Sequence, residues 1–399
     1  MPWKEVHVLD ERLKFINLCL EKKHPLAEIC REFGISRPTA YKFLQRYNDE
    51  GPAGLHDKSR VPHTHPNSVS SDTEEQILKA KTAYPTWGPR KLRAWLQKKY
   101  QACCWPAPST IGEILKRNGL TRKSRLRRKA SPSSALTRPD GPNSVWTVDF
   151  KGWFRTKDGK KCHPLTIIDA HSRYIIRCQA LPREDTDSAM PVFVGAFLEF
   201  GLPAVIRSDN GPPFASVAAG GFSRLSLWFL KLGIVPERIK PGHPEENGSH
   251  ENMHRFLKAD IIVNSPSENL HGQQRNFDRF IREYNEERPH EALGYKTPSD
   301  LYVPSPNRFP LVAPKFTYSK EYTIRSVHKD GSIRWKRKDI YISEVFRRER
   351  LGLLPIHDCY WKVYMGPVVV GVLDEGVKKF LSGKDADKIL RDFQEEHRK

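Results

Sequence analysis

Three short stretches in the middle of the chain carry carboxylates where a packed domain disfavours them. Val145-Trp146-Thr147-Val148-Asp149-Phe150 is β-branched and aromatic, so it reads as a buried strand with an acid inside it. Asp209 closes the apolar run Ala204-Val205-Ile206 just before an Asn-Gly turn. Glu251 falls in the first turns of a helix predicted from Gly248 onward. Uncompensated acids at such positions repel one another and lose hydration. The pattern makes physical sense if hard divalent cations, which take oxygen ligands, bind among them.

Charge narrows the partner. The chain of 399 residues has 67 Lys and Arg against 47 Asp and Glu, a net +20. Residues 1–143 hold 27 cations against 14 acids and so carry +13 of that excess. A polyanion is the expected partner, nucleic acid ahead of a membrane. No apolar run reaches a membrane-spanning length, and the N-terminus lacks a signal-peptide pattern, so a non-secreted protein with no membrane partner is expected. Seven Cys without a C-x-x-C pair argue against a disulfide framework or a zinc finger.

Taken in order, the chain divides into six parts. Residues 1–60 read as a helix-turn-helix domain. Asp10 to Lys22 forms an amphipathic helix capped by Asp10. A short helix then precedes Gly34, and a second helix follows the N-cap Ser36, with Pro38 in its first turn. In such a motif the second helix enters the major groove, which directs Arg37, Thr39, Tyr41, Lys42 and Arg46 to DNA and Ala40, Phe43 and Leu44 inward. Residues 61–120 repeat the plan without repeating the sequence. One helix is capped at Ser71 or Asp72, a second, basic one runs from Gly88 to Tyr100 and directs Arg90 and Lys91 to DNA, and a third is capped by Ser109 and closed by Gly119. Residues 121–143 are a basic linker. Arg122, Lys123, Arg125, Arg127 and Arg128 fall in a nine-residue stretch with six cations, suited to lie along phosphates or in a minor groove.

Residues 144–303 alternate strands and helices. Strands are expected at 145–155, 162–168, 173–180, 203–208 and 234–239, and helices at 187–200, 221–232, 248–262 and 272–285. This is a mixed five-stranded sheet with helices on both faces. After 304 the pattern becomes short alternating runs, which predicts a small β-barrel over 304–375, followed by a charged tail at 376–399.

The ordered set Asp149, Ser208-Asp209-Asn210-Gly211 and Asn247-Gly248-Ser249-His250-Glu251 resembles the core of DDE transposases and retroviral-type integrases, especially bacterial insertion-sequence transposases. Ile168-Asp169-Ala170-His171-Ser172-Arg173-Tyr174 and Tyr284-Asn285-Glu286-Glu287-Arg288-Pro289-His290 support it. The resemblance implies an α/β RNase H-like core behind all-α helix-turn-helix domains, with a C-terminal SH3-like β-barrel. It implies Asp149, Asp209 and Glu251 as the catalytic, metal-binding acids, with two Mg²⁺ ions that Mn²⁺ can replace. It further implies an enzyme that binds the terminal inverted repeats of a mobile element, cleaves at its ends and joins the 3′-hydroxyls to target DNA. Such a protein would be bacterial, cytoplasmic and nucleoid-associated, and would act on double-stranded DNA as at least a dimer. The alternatives are a repressor on an inactive core, or a nuclease of the same fold without strand transfer.

The third acid has competitors. A spacing common among relatives, about 35 residues after Asp209, lands on Glu245 beside Glu246, in a Pro/Gly loop that fixes position poorly. Glu251 follows Asn247-Gly248 at the helix start and has Lys258 seven residues later on the same helix face, where it can meet a phosphate. Glu251 is therefore chosen. Asp169 reads as structural, satisfying backbone donors or Arg173. His250 and His254 read as solvated side chains rather than ligands.

This division of labour predicts that a fragment 1–143 binds terminal-repeat DNA specifically and does no chemistry. In a salt titration its affinity falls with a log–log slope of about −0.9 per neutralised phosphate. Replacing Arg37 and Lys42 removes about 1–3 kcal/mol of discrimination for each base edge that is no longer read. Neutralising Arg125, Arg127 and Arg128 weakens binding to all sequences alike. Equal affinity of the fragment for end and scrambled DNA would contradict the assignment.

Overall fold

The computed structural model describes residues 8–58, 69–121, 136–216, 221–240, 243–259, 266–310, 312, 314–357 and 359–396. It separates into two compact units, one reaching to Ser70 and one running from Ser71 to the C-terminus. The basic residues Arg122, Lys123, Arg125, Arg127 and Arg128 lie outside the described residues.

The first unit has three helices, α1 (Val8–Leu20), α2 (Leu26–Glu32) and α3 (Arg37–Glu50). They close on Phe15, Ile16, Ile29, Cys30, Ala40 and Leu55. Gly34 takes the left-handed backbone (φ 63°) that the sharp turn between α2 and α3 requires. Ser36 caps α3 by accepting from the Thr39 N–H at 3.4 Å. Asp10, expected as a cap, instead sits in the first turn of a helix already formed at Val8, where its charge still suits the helix dipole.

The second unit begins with α4 (Ser71–Ala83), α5 (Pro89–Lys99) and α6 (Pro108–Arg117). Helix α6 starts at Pro108 with Ala107 at the cap, ahead of the expected Ser109, because proline at the first position has no N–H to satisfy. Trp87, fully buried, stacks on Tyr84 at 3.9 Å between ring centroids. These helices are joined to the α/β core that follows. Tyr84 hydrogen-bonds Glu287, Lys98 pairs with Asp300 at 2.9 Å, and Arg90 pairs with Glu291 at 3.3 Å.

The core sheet has six strands rather than five: β1 (Val145–Phe150), β2 (Phe154–Arg155), β3 (Lys161–Asp169), β4 (Ile175–Leu181), β5 (Val205–Ser208) and β6 (Val235–Arg238). The single strand expected over 145–155 is broken at Gly152, whose φ of 79° ends the extended run, and the chain re-pairs as β2 against Cys162 and Lys161. β3 is antiparallel to β1 and β4, whereas β5 and β6 run parallel to β1, so the sheet is mixed. One face packs Trp146, Val148, Leu165 and Ile167 against α7 (Thr186–Phe200) and α8 (Arg224–Lys231). The other packs Ile168, Ile175 and Cys178 against α9 (Gly248–Leu257) and α10 (Leu270–Arg282). The free edge of β4 is covered by side chains that imitate a strand. Asn285 accepts from the Ile175 N–H at 2.8 Å and donates to its carbonyl at 3.0 Å, and Gln274 does the same for Ala180 and Cys178.

The C-terminal region forms a five-stranded antiparallel sheet from β7 (Thr323–Ser326), β10 (Arg350–His357), β11 (Tyr360–Met365), β12 (Val368–Asp374) and β13 (Lys379–Leu381). A hairpin of β8 (Ser332–Trp335) and β9 (Lys338–Tyr341) accompanies it, and α11 (Lys384–Glu396) ends the described chain. Phe222, Leu227 and Leu230 of the core join the apolar cluster of this region, and Lys231 pairs with Glu349 at 2.7 Å.

Asp169 has the structural role expected of it. Fully buried, its carboxylate accepts from the Asn143 N–H (2.7 Å), the Ser172 N–H (2.8 Å) and the Ser172 hydroxyl (2.6 Å). Asp169→Ala orphans two buried N–H groups and should cost about 3 kcal/mol of stability, measured by denaturant unfolding. An unchanged unfolding midpoint would contradict this account.

Candidate active site

The strand period of two settles which way Asp149 points. Trp146 and Val148 go to the α7 face, so Thr147 and Asp149 go to the α9 face. The pairing of β1 with β5 matches Thr147 to Arg207, and the same register two residues on brings Asp209 beside Asp149. Asp209 is held by an Asx turn, its Oδ1 accepting from the Gly211 N–H at 3.2 Å, while Asn210 donates to the Ile239 carbonyl at 2.7 Å.

Helix α9 lies over these strands. His250, Met253, His254 and Leu257 are buried at the i, i+3, i+4, i+7 spacing of one helix face. The two histidines are therefore core side chains and not solvated ones. His250 Nδ1 meets the Thr147 hydroxyl at 2.9 Å, and Nε2 meets Thr166 Oγ1 at 2.6 Å. His254 Nε2 lies 2.7 Å from the same Thr166 oxygen, and its Nδ1 lies 3.5 Å from Asp149 Oδ2. Thr166 donates its one proton to the Asp149 carbonyl at 2.9 Å, so it accepts from both Nε2–H groups. Both rings are thereby neutral Nε2–H tautomers. Burial, reinforced by Lys151, holds His254 down to about 3, and burial with the neighbouring His254 and Lys151 holds His250 well below the usual histidine range. Asp149, His250 and His254 converge closely enough to suggest a metal site. Both ring nitrogens of His250 are engaged by threonine hydroxyls, however, which leaves it no free ligand atom.

The carboxylates form the other half of the site. Burial, then the charge of Asp209, push Asp149 up to about 7; Lys151 pulls it back, and Glu251 adds a smaller upward push. Two acidic neighbours of a half-buried carboxylate are what an oxygen-ligated cation neutralises, so the donor set fits a divalent metal. Glu251 is exposed on the first turn of α9, and Lys258 is exposed at its end. Glu246 is buried, with Oε2 accepting from the Lys240 N–H at 2.8 Å, a loop-closing role. Glu245 sits in the short helical turn Pro244–Asn247.

Of the residues assigned to DNA, Arg37, Tyr41 and Lys42 are exposed on α3, Tyr41 by 62%. Thr39 is half-buried against Ser36, and the Arg46 guanidinium lies 5.8 Å from the Phe43 ring. Arg90 pairs with Glu291, and the Lys91 amine lies 5.3 Å from the Phe256 ring, so both lean on the core. Sequence alone did not single out Lys151, Thr147, Thr166, Arg255 or His290. The helical spacing of His250 and His254 is the one signal that pointed to the buried pair.

Residues 139–244 and 232–298 match the integrase core domain, residues 11–63 a helix-turn-helix domain and residues 39–115 a homeodomain-like domain. An uncharacterized 31.7 kDa protein of insertion element IS407 from Burkholderia multivorans is 26% identical over 171 residues, 42% of this chain and 57% of that protein. The transposase InsD of insertion element IS2 from Escherichia coli is 24% identical over 284 residues, 68% of this chain and 89% of that protein. The Gag-Pol polyprotein of baboon endogenous virus is 32% identical over 133 residues, 33% of this chain and 7% of the polyprotein. Among solved structures, the HTLV-2 integrase catalytic core in complex with magnesium aligns at 18% identity and a TM-score of 0.33, over 42% of this chain and 100% of that one. The chain is related to insertion-sequence DDE transposases with an integrase-like core, and it carries helix-turn-helix domains ahead of that core.

A raised Asp149 is protonated in the folded, metal-free protein at pH values where the unfolded chain has ionised. Its contribution to stability is fully present below about pH 4 and is lost as pH rises to about 7. Asp149→Asn should therefore melt higher than the parent at pH 8 in chelator, by about 5 °C, and the gap should close toward pH 4. A variant less stable than the parent at pH 8 would contradict the site's electrostatics.

Proposed function

We propose that the chain is a transposase that binds the terminal inverted repeats of an insertion sequence, cleaves DNA at the element ends and joins the 3′-hydroxyls to target DNA. The observation that carries this reading is the placement of Asp209 and Glu251 around Asp149, whose carboxyl is held up first by burial and then by the Asp209 charge, beneath a helix packed on neutral histidines. Asp149, Asp209 and Glu251 would hold two Mg²⁺ ions, with Mn²⁺ as a substitute. Bound there, such ions would supply Lewis-acid activation of the attacking water or 3′-hydroxyl and of the leaving oxygen.

The chain's own residues do the positioning. Thr166 holds the Asp149 strand by donating to its carbonyl, and the neutral His254 ring packs beside the carboxylate. The Gly211 N–H orients Asp209. Glu251, exposed and among the described residues without a partner of the kind that ties Glu246 down, is presented by a helix whose buried face is locked to the sheet. Lys258, on the same helix face, would meet a phosphate of the strand being cut. Arg37, Tyr41 and Lys42 on α3 would read the end sequence, with Arg46 and Thr39 supporting from the flank, and the basic stretch through Arg128 would follow the backbone. A small SH3-like barrel is the reading we favour for β7–β13. In this scheme the functional divisions fall at 1–60, 61–120, 121–143, 144–303 and 304–375. Two ends must be cut together, so the active form is at least a dimer on DNA.

Asp149→Asn and Glu251→Gln should each abolish cleavage and joining, a loss of at least about 10²-fold, while binding to end DNA survives. EDTA should have the same effect on the parent. Cleavage and strand transfer on pre-cut ends are read separately. Cleavage without transfer would indicate a nuclease, and activity retained by Glu251→Gln but lost in Glu245→Gln would move the third acid.

A further inference from the structure

A cavity of about 870 Å³ adjoins the acidic site, with Glu251 in its wall, between α5, the exposed side of α9 and the turn around Glu291. Its lining is cationic. Lys91 enters from α5, Arg255 from α9 and Arg173 from the β3–β4 turn. Gly248 and Ser249 line it with the first turn of α9, the end at which the helix dipole favours an anion. Space above Gly248 is open, since a Cβ there would meet nothing within 4 Å.

The counter-charges are few. Glu291 pairs with Arg90, and Glu251 belongs to the acidic site. A second, independent feature also points to a ligand. His290 is 7% exposed and lines this cavity, yet its Nε2 has no hydrogen-bond partner among the described residues. Its ring packs on Tyr284 at 4.7 Å. Behind the wall, Arg288 is buried with its guanidinium 3.7 Å from the Phe256 ring centre, adding a further positive charge. Burial and the charges of Lys91, Arg288 and Arg173 hold His290 down to about 3, so Nε2 carries no proton in this positive field; an oxyanion in the cavity would offset the field and return a proton to Nε2, which would then donate to it.

We propose that this cavity is a phosphodiester subsite, in which Lys91 of the second helical unit joins Arg255, Arg173 and His290 of the core to grip the DNA strand next to the bond being cut. The identification of the anion as DNA rests on the transposase reading; the anion site itself does not. The site would make strand seating depend on the docking of α5 against the core, and so would link end recognition to chemistry. The Lys91 amine is lowered to about 8, first by burial and then by Arg288, against a smaller upward pull from Glu291.

The test uses the full chain and trace acetylation of lysines at pH 8, mapped by mass spectrometry with the exposed Lys79 as reference. Inorganic phosphate should slow acetylation of Lys91 about fivefold, the effect of raising an amine from about 8 to about 9 at that pH, whereas chloride at equal ionic strength should not. Arg255→Gln should remove the protection. A terminal-repeat duplex should protect as phosphate does, and one duplex in a scan of single neutral methylphosphonates near the cleavage position should not. If phosphate leaves Lys91 unprotected, or Arg255→Gln is protected as well as the parent, the subsite is overturned. If every methylphosphonate duplex protects equally, the site binds phosphate but not the DNA backbone, and the proposal fails in that part. Phosphate protection in a chain that never cleaves end DNA in Mg²⁺ would remove the transposase reading and keep the anion site.

Discussion

The structure turns on the choice of face for Asp149. β1 is covered on both sides, so its side chains must satisfy two different environments in alternation. Trp146 and Val148 fill the aromatic layer with Phe193, Phe197 and Phe229. Thr147 and Asp149 lie under α9, where the neighbours are hydroxyls and neutral imidazoles. A one-residue slip would drive the carboxylate into the aromatic layer and leave the indole under the histidines, so the register of the core and the geometry of the acidic site are one constraint. The histidines are what make that face tolerable. Charged, they would attract Asp149 and suppress its raised pKa. Held neutral, His250 between Thr147 and Thr166 and His254 on Thr166, they support the strand and leave the carboxylate to its acidic neighbours.

Much of this was legible in the chain. The strand positions followed from β-branched and aromatic runs, and α7 and α10 from their apolar periodicity, because both signals are local. The backbone-satisfying role of Asp169 was legible because its donors lie in the adjacent turn. The direction of Asp149 was not, since a strand buried on both faces shows no alternation of polarity. The break at Gly152 was missed because a glycine inside an apolar run is compatible with a continuous strand until its φ is known. His250 and His254 read as solvated because histidine is common on surfaces. Their spacing with Met253 and Leu257 marked a buried face, but only the non-local partners Thr147 and Thr166 explain why polar rings are accepted there.

The second helical unit is the larger departure. By pattern α4–α6 resembles the first unit, and a boundary near 143 treats the two alike. In the folded chain α4–α6 belong to the same compact unit as the α/β core. The joining ion pairs, Lys98 with Asp300 and Arg90 with Glu291, are at the surface and contribute little singly. Lys91 differs, since its amine is half-buried and turned to the core. The charge surplus of the N-terminal part therefore serves two purposes. On α3 it is displayed to solvent; on α5 part of it is turned against the core.

Phe256 shows how that second use is sustained. Arg288 lies 3.7 Å from its ring centre, Arg255 5.1 Å and Lys91 5.3 Å. A ring has two negative faces, and a cation–π contact at partly buried positions is worth about 1–2 kcal/mol, so one aromatic side chain can hold cations that would otherwise repel across a low-dielectric gap. Phe256 follows Arg255 on α9, five residues beyond Glu251 on the same helix, and Arg288 comes from the Tyr284–His290 segment whose Asn285 closes the edge of β4. The segment is thus fixed to the sheet at one end and to α9 at the other. A displacement of α5 that moves Lys91 must act on the same ring that α9 carries, and α9 carries Glu251. A single phenylalanine thus lies between the second helical unit and the helix that carries Glu251.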